Sequence, residues 1–170
     1  MTLSSIRPFG LRDVRITDLD GANPVDLPAA TMLRFSERIS SEDFVAEGVQ
    51  VGAASFTERV DWDIEAGGID IAVFVKLTGH TGVGQGTTPA RIVTMTAMAG
   101  DEFPYVRIYG QAVGDTGDDI HCKIYKAKVT DLSGDFRDGQ FFITRCAGVG
   151  VKDGTHGAYQ FIQHETKTSL

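Results

Sequence analysis

The sequence predicts a mainly β fold, an antiparallel β-sandwich or partly closed barrel with one α-helix, and three observations carry that expectation. Most apolar segments alternate at a period of two, which wets one face of a strand and buries the other. One stretch, about 68–78, switches to helical spacing. The segments are separated by short runs that combine Gly with Asp, the chemistry of tight reversals.

The switch is visible in VDWDIEAGGIDIAVFVKLTG, residues 60–79. Val60, Trp62 and Ile64 alternate with Asp61, Asp63 and Glu65, so Trp62 is expected in the core with the carboxylates on the opposite face. Beyond the paired glycines, Ile69, Val73, Lys76 and Leu77 recur at i, i+4, i+7 and i+8. Asp70 then complements the helix dipole in the first turn, and Gly79 ends the helix. Ile69, Val73 and Leu77 are thus the expected core side of the helix.

Before this stretch, residues 1–8 read as a flexible N-terminal arm and 9–17 as a first, partly bulged strand. LDGANPVDLP, 19–28, is a connection. Residues 31–40 form a strand with Leu33, Phe35 and Ile39 on one face and Arg34, Ser36 and Arg38 on the other. SEDFVAEGVQVGAAS, 41–55, is small and acidic and reads as a long loop, longer than a hairpin needs. Its apolar groups Phe44, Val45, Val49 and Val51 stand beside Asp43 and Glu47, and a loop of that kind gains most by docking on another molecule.

After the helix, GHTGVGQGTTP, 79–89, invites comparison with a phosphate-binding loop. Gln85 stands where the lysine belongs, Gly86 replaces the hydroxyl, and the stretch follows a helix instead of leading into one. It reads as a flexible connector. Residues 92–99, 105–113 and 120–130 are three strands whose separators favour consecutive antiparallel pairing. A further strand spans 140–151, with a bend near its glycines, and 159–167 closes the sheet or crosses to a neighbour.

The chain has 170 residues with 42% hydrophobic content, enough for one domain with a real core. Its 16 Lys and Arg against 23 Asp and Glu leave a net charge of -7. That balance, without a basic run, argues against tight direct DNA binding. The start lacks a secretory apolar stretch, and the apolar run 71–75 is too short to span a bilayer, so a cytoplasmic, soluble product is expected. Cys122 and Cys146 fall on two arms of one expected hairpin. In such a compartment they are more simply buried thiols than a bridge.

Little in the sequence points to catalysis. His80, His121, His156 and His164 form no metal-ligand motif, and His121 and Cys122 point to opposite faces of a strand. Asp61 and Asp63 share a face, as carboxylates on the solvated side of a strand do. No catalytic residue, metal or cofactor is expected.

Five stretches, EAGGIDIAVFVKLTG (65–79), GTTPAR (86–91), GDEFPYVRIYGQAVGD (100–115), DIHCKIYKAKVTDLSGDFRDGQFF (119–142) and YQFIQHET (159–166), resemble the major tail tube protein of long non-contractile-tailed bacteriophages. The resemblance implies one tail-tube domain over 1–170; relatives often append an immunoglobulin-like domain, and none is expected here. It further implies hexameric rings that stack into a tube conducting DNA from capsid to host cell. The partners it implies are the chain itself, the tape measure protein, the tail terminator and the distal tail protein, in a virion tail assembled in the host cytoplasm. DNA would pass without specific binding, and no membrane is involved. On this reading Arg34, Arg38, Arg59, Asp61, Asp63 and Glu65 face the lumen, while Asp43, Phe44, Val45, Glu47, Val49 and Val51 stack one ring on the next. The alternatives are a tube protein of a contractile tail, a bacteriocin or a type VI secretion system, and, in another class, a small β-barrel enzyme or ligand-binding module with His121 or His164 in a cavity.

Overall fold

Among the described residues, ten strands and one helix follow one another as β1 (Pro8–Asp18), β2 (Val25–Asp26), β3 (Ala30–Ala46), β4 (Val49–Gly67), α1 (Ile71–Thr78), β5 (Thr81–Gln85), β6 (Ile92–Thr96), β7 (Val106–Gly114), β8 (Asp119–Asp135), β9 (Ile143–Gly150) and β10 (Tyr159–His164). The structure is a computed structural model describing residues 8–27, 29–46, 49–68, 70–114 and 117–170, with backbone alone at 46, 49 and 50. Residues 1–7 of the expected arm, together with Glu47 and Ile69, lie outside the described residues.

Among the described residues the fold is mainly β and antiparallel, with one short helix and no closed barrel. The large sheet runs β2-β1-β7-β8-β9-β4-β3, and β10 pairs with the first half of β8. The sheet curls so that its far end returns over its beginning. Leu33 of β3 packs on Gly110 of β7, where a Cβ would lie 2.2 Å from the leucine Cδ2. Phe35 meets Phe161 of β10, ring centroids 4.9 Å apart. Between these layers sit Val14, Ile16, Trp62, Ile64, Ile108 and Ile124, all buried.

The alternation in β4 places Val60, Trp62, Ile64 and Ala66 in the core while Asp61, Asp63 and Glu65 are partly exposed. Trp62 is 1% exposed and lies opposite Gly148. Helix α1 buries Val73 and Leu77 against the sheet. It begins at Ile71, because Asp70 is extended and accepts a 2.8 Å hydrogen bond from the Ala72 amide as its N-cap. Gly79, at φ 73°, closes it in the left-handed conformation. Among the described residues no helix is long and apolar enough to cross a membrane.

Four details depart from the sequence-based expectations. Residues 41–55 are not a loop: β3 and β4 pair in register from Ala30↔Ala66 out to Ala46↔Val49. The alternation signal is missing there because neither face of this hairpin is buried, so no residue type is selected for one side. The connector 79–89 contains β5, whose Gly82 packs under Val75 where a Cβ would sit 2.9 Å from its Cγ2. Strand β6 pairs with β5 in a separate two-stranded sheet, and not with β7. Finally, β8 and β9 do form a hairpin, but Cys146 lies opposite Leu132 while Cys122 lies opposite Gly110 and Phe161. Both thiols are free and buried. Burial pushes Cys122 up to about 11 and, with help from Asp131 and Asp63, Cys146 up to about 12.

Candidate functional site

Two surfaces and one buried cluster concentrate the unusual chemistry of the molecule. The first surface is the distal half of the β3–β4 hairpin. Strand β9 lies beside β4 only from Val60 onward. Among the described residues, β4 from Val49 to Arg59 therefore has β3 as its sole neighbour. At a strand's rise per residue, the stretch from Arg38 to Ala46 reaches about 27 Å. Strand alternation puts Ile39 and Val45 on one side of this arm and Phe44 on the other, the side shared by Phe56, which lies opposite Ser40. All four are exposed, Phe44 by 68%. Val51 is exposed near the tip, and Asp43 lies opposite Ala53. Of Val49 only the pairing with Ala46 is described.

The second surface is the polar face of β3, β4 and β9. Arg34 lies opposite Asp63, Arg38 opposite Arg59, and Arg145 opposite Glu65. Arg38 Nε donates to Asp61 Oδ2 at 2.8 Å and Arg59 Nε to Asp61 Oδ1 at 2.9 Å. Arg145 Nε donates to Glu65 Oε2 at 3.2 Å. The Arg38 guanidinium holds the Asp61 carboxyl below its ordinary range, against a smaller opposing effect of burial and with Arg59 assisting. The six residues expected to line a lumen thus share one face, and Arg145, absent from that expectation, joins them. Both oxygens of Asp61 are occupied by arginines, and Glu65 is engaged by Arg145.

The buried cluster lies on the opposite face of β8 from Ile120 and Cys122. Asp119 and His121 are two residues apart on one strand and so point the same way, His164 of β10 lies opposite Asp119, and Gln111 of β7 lies opposite His121. Asp119 Oδ2 accepts from Gln111 Nε2 at 2.6 Å and from the Thr168 amide at 2.9 Å, and lies 3.2 Å from His121 Nε2. Burial by itself would raise this carboxyl, but the Thr168 amide, Gln111 and His121 together outweigh it and hold it low. The segment after β10 covers the cluster, anchored also by Lys167 N to Gly117 O at 2.9 Å. His80 and His156 sit elsewhere, beside Asp101 and Asp153.

An apolar groove of about 450 Å³ runs between the curled layers, bordered by Leu11, Leu33, Phe35, Ile120 and Phe161. Neither His121 nor His164 lines it. The β-barrel enzyme alternative, which would place one of these histidines in a cavity, has no support from this groove. No local motif joins His121 to His164, which lie on different strands. The signal available was the Asp-x-His spacing at 119–121, which on a strand places both groups on one side.

No family model matches the chain, and no curated protein matches it. Among solved structures, it is similar to a chain of the anti-feeding prophage baseplate, determined by cryo-electron microscopy with sixfold symmetrisation. The TM-score is 0.46 and the identity 13%, over 95% of this chain and 97% of that one.

Proposed function

We propose that this chain is a phage-tail-type structural protein that works by self-association, its hexameric rings stacking into a non-contractile tail tube through which DNA passes. The single observation that carries the reading is the distal β3–β4 hairpin. Two strands alone are marginal in water, and open edges recruit further strands. This arm has open edges and apolar side chains on both faces, so burial against other copies supplies what the monomer lacks. Asp43, Phe44, Val45, Glu47, Val49 and Val51 are the proposed stacking segment.

The polar face of β3, β4 and β9 is the proposed lumen wall. An arginine engaged by a carboxylate is a poor partner for a phosphate, because the ion pair must break before a new one forms. With Arg38 and Arg59 held by Asp61 and Glu65 engaged by Arg145, the face formed by Arg34, Arg38, Arg59, Asp61, Asp63 and Glu65 would let DNA slide rather than bind. The tape measure protein would occupy that bore before DNA does, and the tail terminator and distal tail protein would cap the two ends of the tube. The site of action is the virion tail, after assembly in the host cytoplasm.

Sedimentation velocity tests the hairpin directly. Wild-type protein is expected to sediment as rings or larger species with increasing concentration. Phe44→Asp combined with Val45→Asp is expected to remain smaller at the same concentration, with an unchanged circular dichroism spectrum. Equal assembly of the two proteins would remove the hairpin from the interface.

A further inference from the structure

Three ligand-type side chains converge at the junction of β8 and β10. The ligand atoms of Asp119, His121 and His164 all lie within 4.8 Å of one another, and the two imidazole centroids are 4.6 Å apart. The spacing is within reach of closing around one ion at the metal–nitrogen and metal–oxygen lengths of about 2.0–2.2 Å that transition metals use.

A second observation comes from the carboxylate itself. Asp119 is 0% exposed, and its two oxygens are used unequally. Oδ2 lies within hydrogen-bond distance of three groups, Gln111 Nε2, the Thr168 amide and His121 Nε2. Oδ1 is buried and has no hydrogen-bond partner. A fully buried carboxylate oxygen with free lone pairs is costly unless it meets a proton donor or a cation. Two imidazoles stand by the same carboxylate: His121 Nε2 lies 3.2 Å from Oδ2 and 3.3 Å from the Thr168 carbonyl, and the His164 ligand atom lies within 4.8 Å; each offers a lone pair once its ligating nitrogen carries no proton.

We propose that Asp119, His121 and His164 form a binding site for a divalent first-row transition metal of the zinc class, which clips β10 and the segment after it to β8. The donor set of two imidazoles and one carboxylate suits such metals and not calcium or magnesium, which prefer all-oxygen shells. Gln111 is a positioning residue: Nε2 donates to Asp119 Oδ2 at 2.6 Å and to the Thr168 carbonyl at 2.7 Å. That fork fixes the carboxylate and the covering segment at once, as outer-sphere groups do at metal centres. The site does not depend on the assembly reading, since all its ligands come from one chain.

Zinc and cobalt ions added alone to chelator-treated protein test the proposal. Calorimetry is expected to register one zinc ion per chain, and zinc to raise the melting temperature saturably. Cobalt is expected to develop visible d–d absorption. His164→Gln, at a half-buried position, is expected to weaken zinc binding about tenfold or more while keeping the melting temperature of the metal-free protein. His156→Gln, outside the cluster, is expected to change nothing. Wild-type protein supplies a readout free of any folding defect in the variants: zinc should shift the imidazole resonances of two histidines and leave the other two in place. Absence of saturable binding, retention of it in His164→Gln, or shifts spread over all four histidines would overturn the assignment.

Discussion

Replacing Gly148 by alanine probes the packing that fixes the centre of the sheet. Gly148 sits on β9, hydrogen-bonded between β4 and β8, directly opposite Trp62. A Cβ there would lie 2.1 Å from the Lys128 carbonyl oxygen and 2.5 and 2.7 Å from Trp62 Cζ2 and Cε2. On one side the obstacle is ladder backbone, and on the other a rigid ring that is 1% exposed. Neither yields by turning a flexible side-chain end, so the cost should reach the upper part of the roughly 1–3 kcal/mol typical of overpacking. Trp62→Ala alone should cost about 3–5 kcal/mol. In the double variant the ring clash disappears and the carbonyl clash remains, so the combined loss should fall short of the sum by about 1 kcal/mol, as expected for contacting residues. Trp62 is the sole tryptophan, so its fluorescence during urea unfolding of dilute protein reports Gly148→Ala, and far-ultraviolet dichroism serves the Trp62 variants. Gly148→Ala within about 0.5 kcal/mol of wild type, the range of neutral surface changes, would refute this account of the core.

Three further outcomes follow from local chemistry. The Asp61 carboxyl is depressed by Arg38 and Arg59, so its contribution is present above the unfolded carboxylate value near ~3.9 and fades as pH falls through the lower folded value; Asp61→Asn should flatten that acid limb of the urea midpoint. With burial pushing Cys122 up to about 11 and Cys146 up to about 12, a thiol reagent at neutral pH should label both slowly in native protein and rapidly in urea; fast native labelling of either would contradict its burial. Asp70→Ala removes the N-cap bond to the Ala72 amide and should cost about 0.5–2 kcal/mol in thermal unfolding, with Asp70→Ser recovering most of it.

The legible parts of this fold are those where burial selects one face. In β4, Trp62 and its neighbours alternate with carboxylates because one side meets the core, and in α1 Val73 and Leu77 recur because one stripe does. Residues 41–55 carried no such imprint: with both sides of the arm exposed, Ala53, Ala54 and Ser55 satisfy a ladder made by backbone alone. Strand β5 was hidden for a related reason, since Gly82 and Gly84 lower strand propensity while their lack of a side chain lets Val75 and Arg91 approach. The shared polar face of Arg34, Arg38, Asp61 and Asp63 followed from alternation within two strands. Arg145 was invisible because only the pairing of β9 with β4 brings it there. The same holds for His164, which reaches Asp119 through the long-range pairing of β10 with β8, a contact no local pattern encodes.

Electron microscopy of concentrated, negatively stained protein addresses self-association most directly. The account predicts annular particles with sixfold symmetry that stack into tubes of uniform width, and loss of both in the Phe44→Asp, Val45→Asp variant. Dispersed single copies of the wild-type chain at every concentration would contradict it.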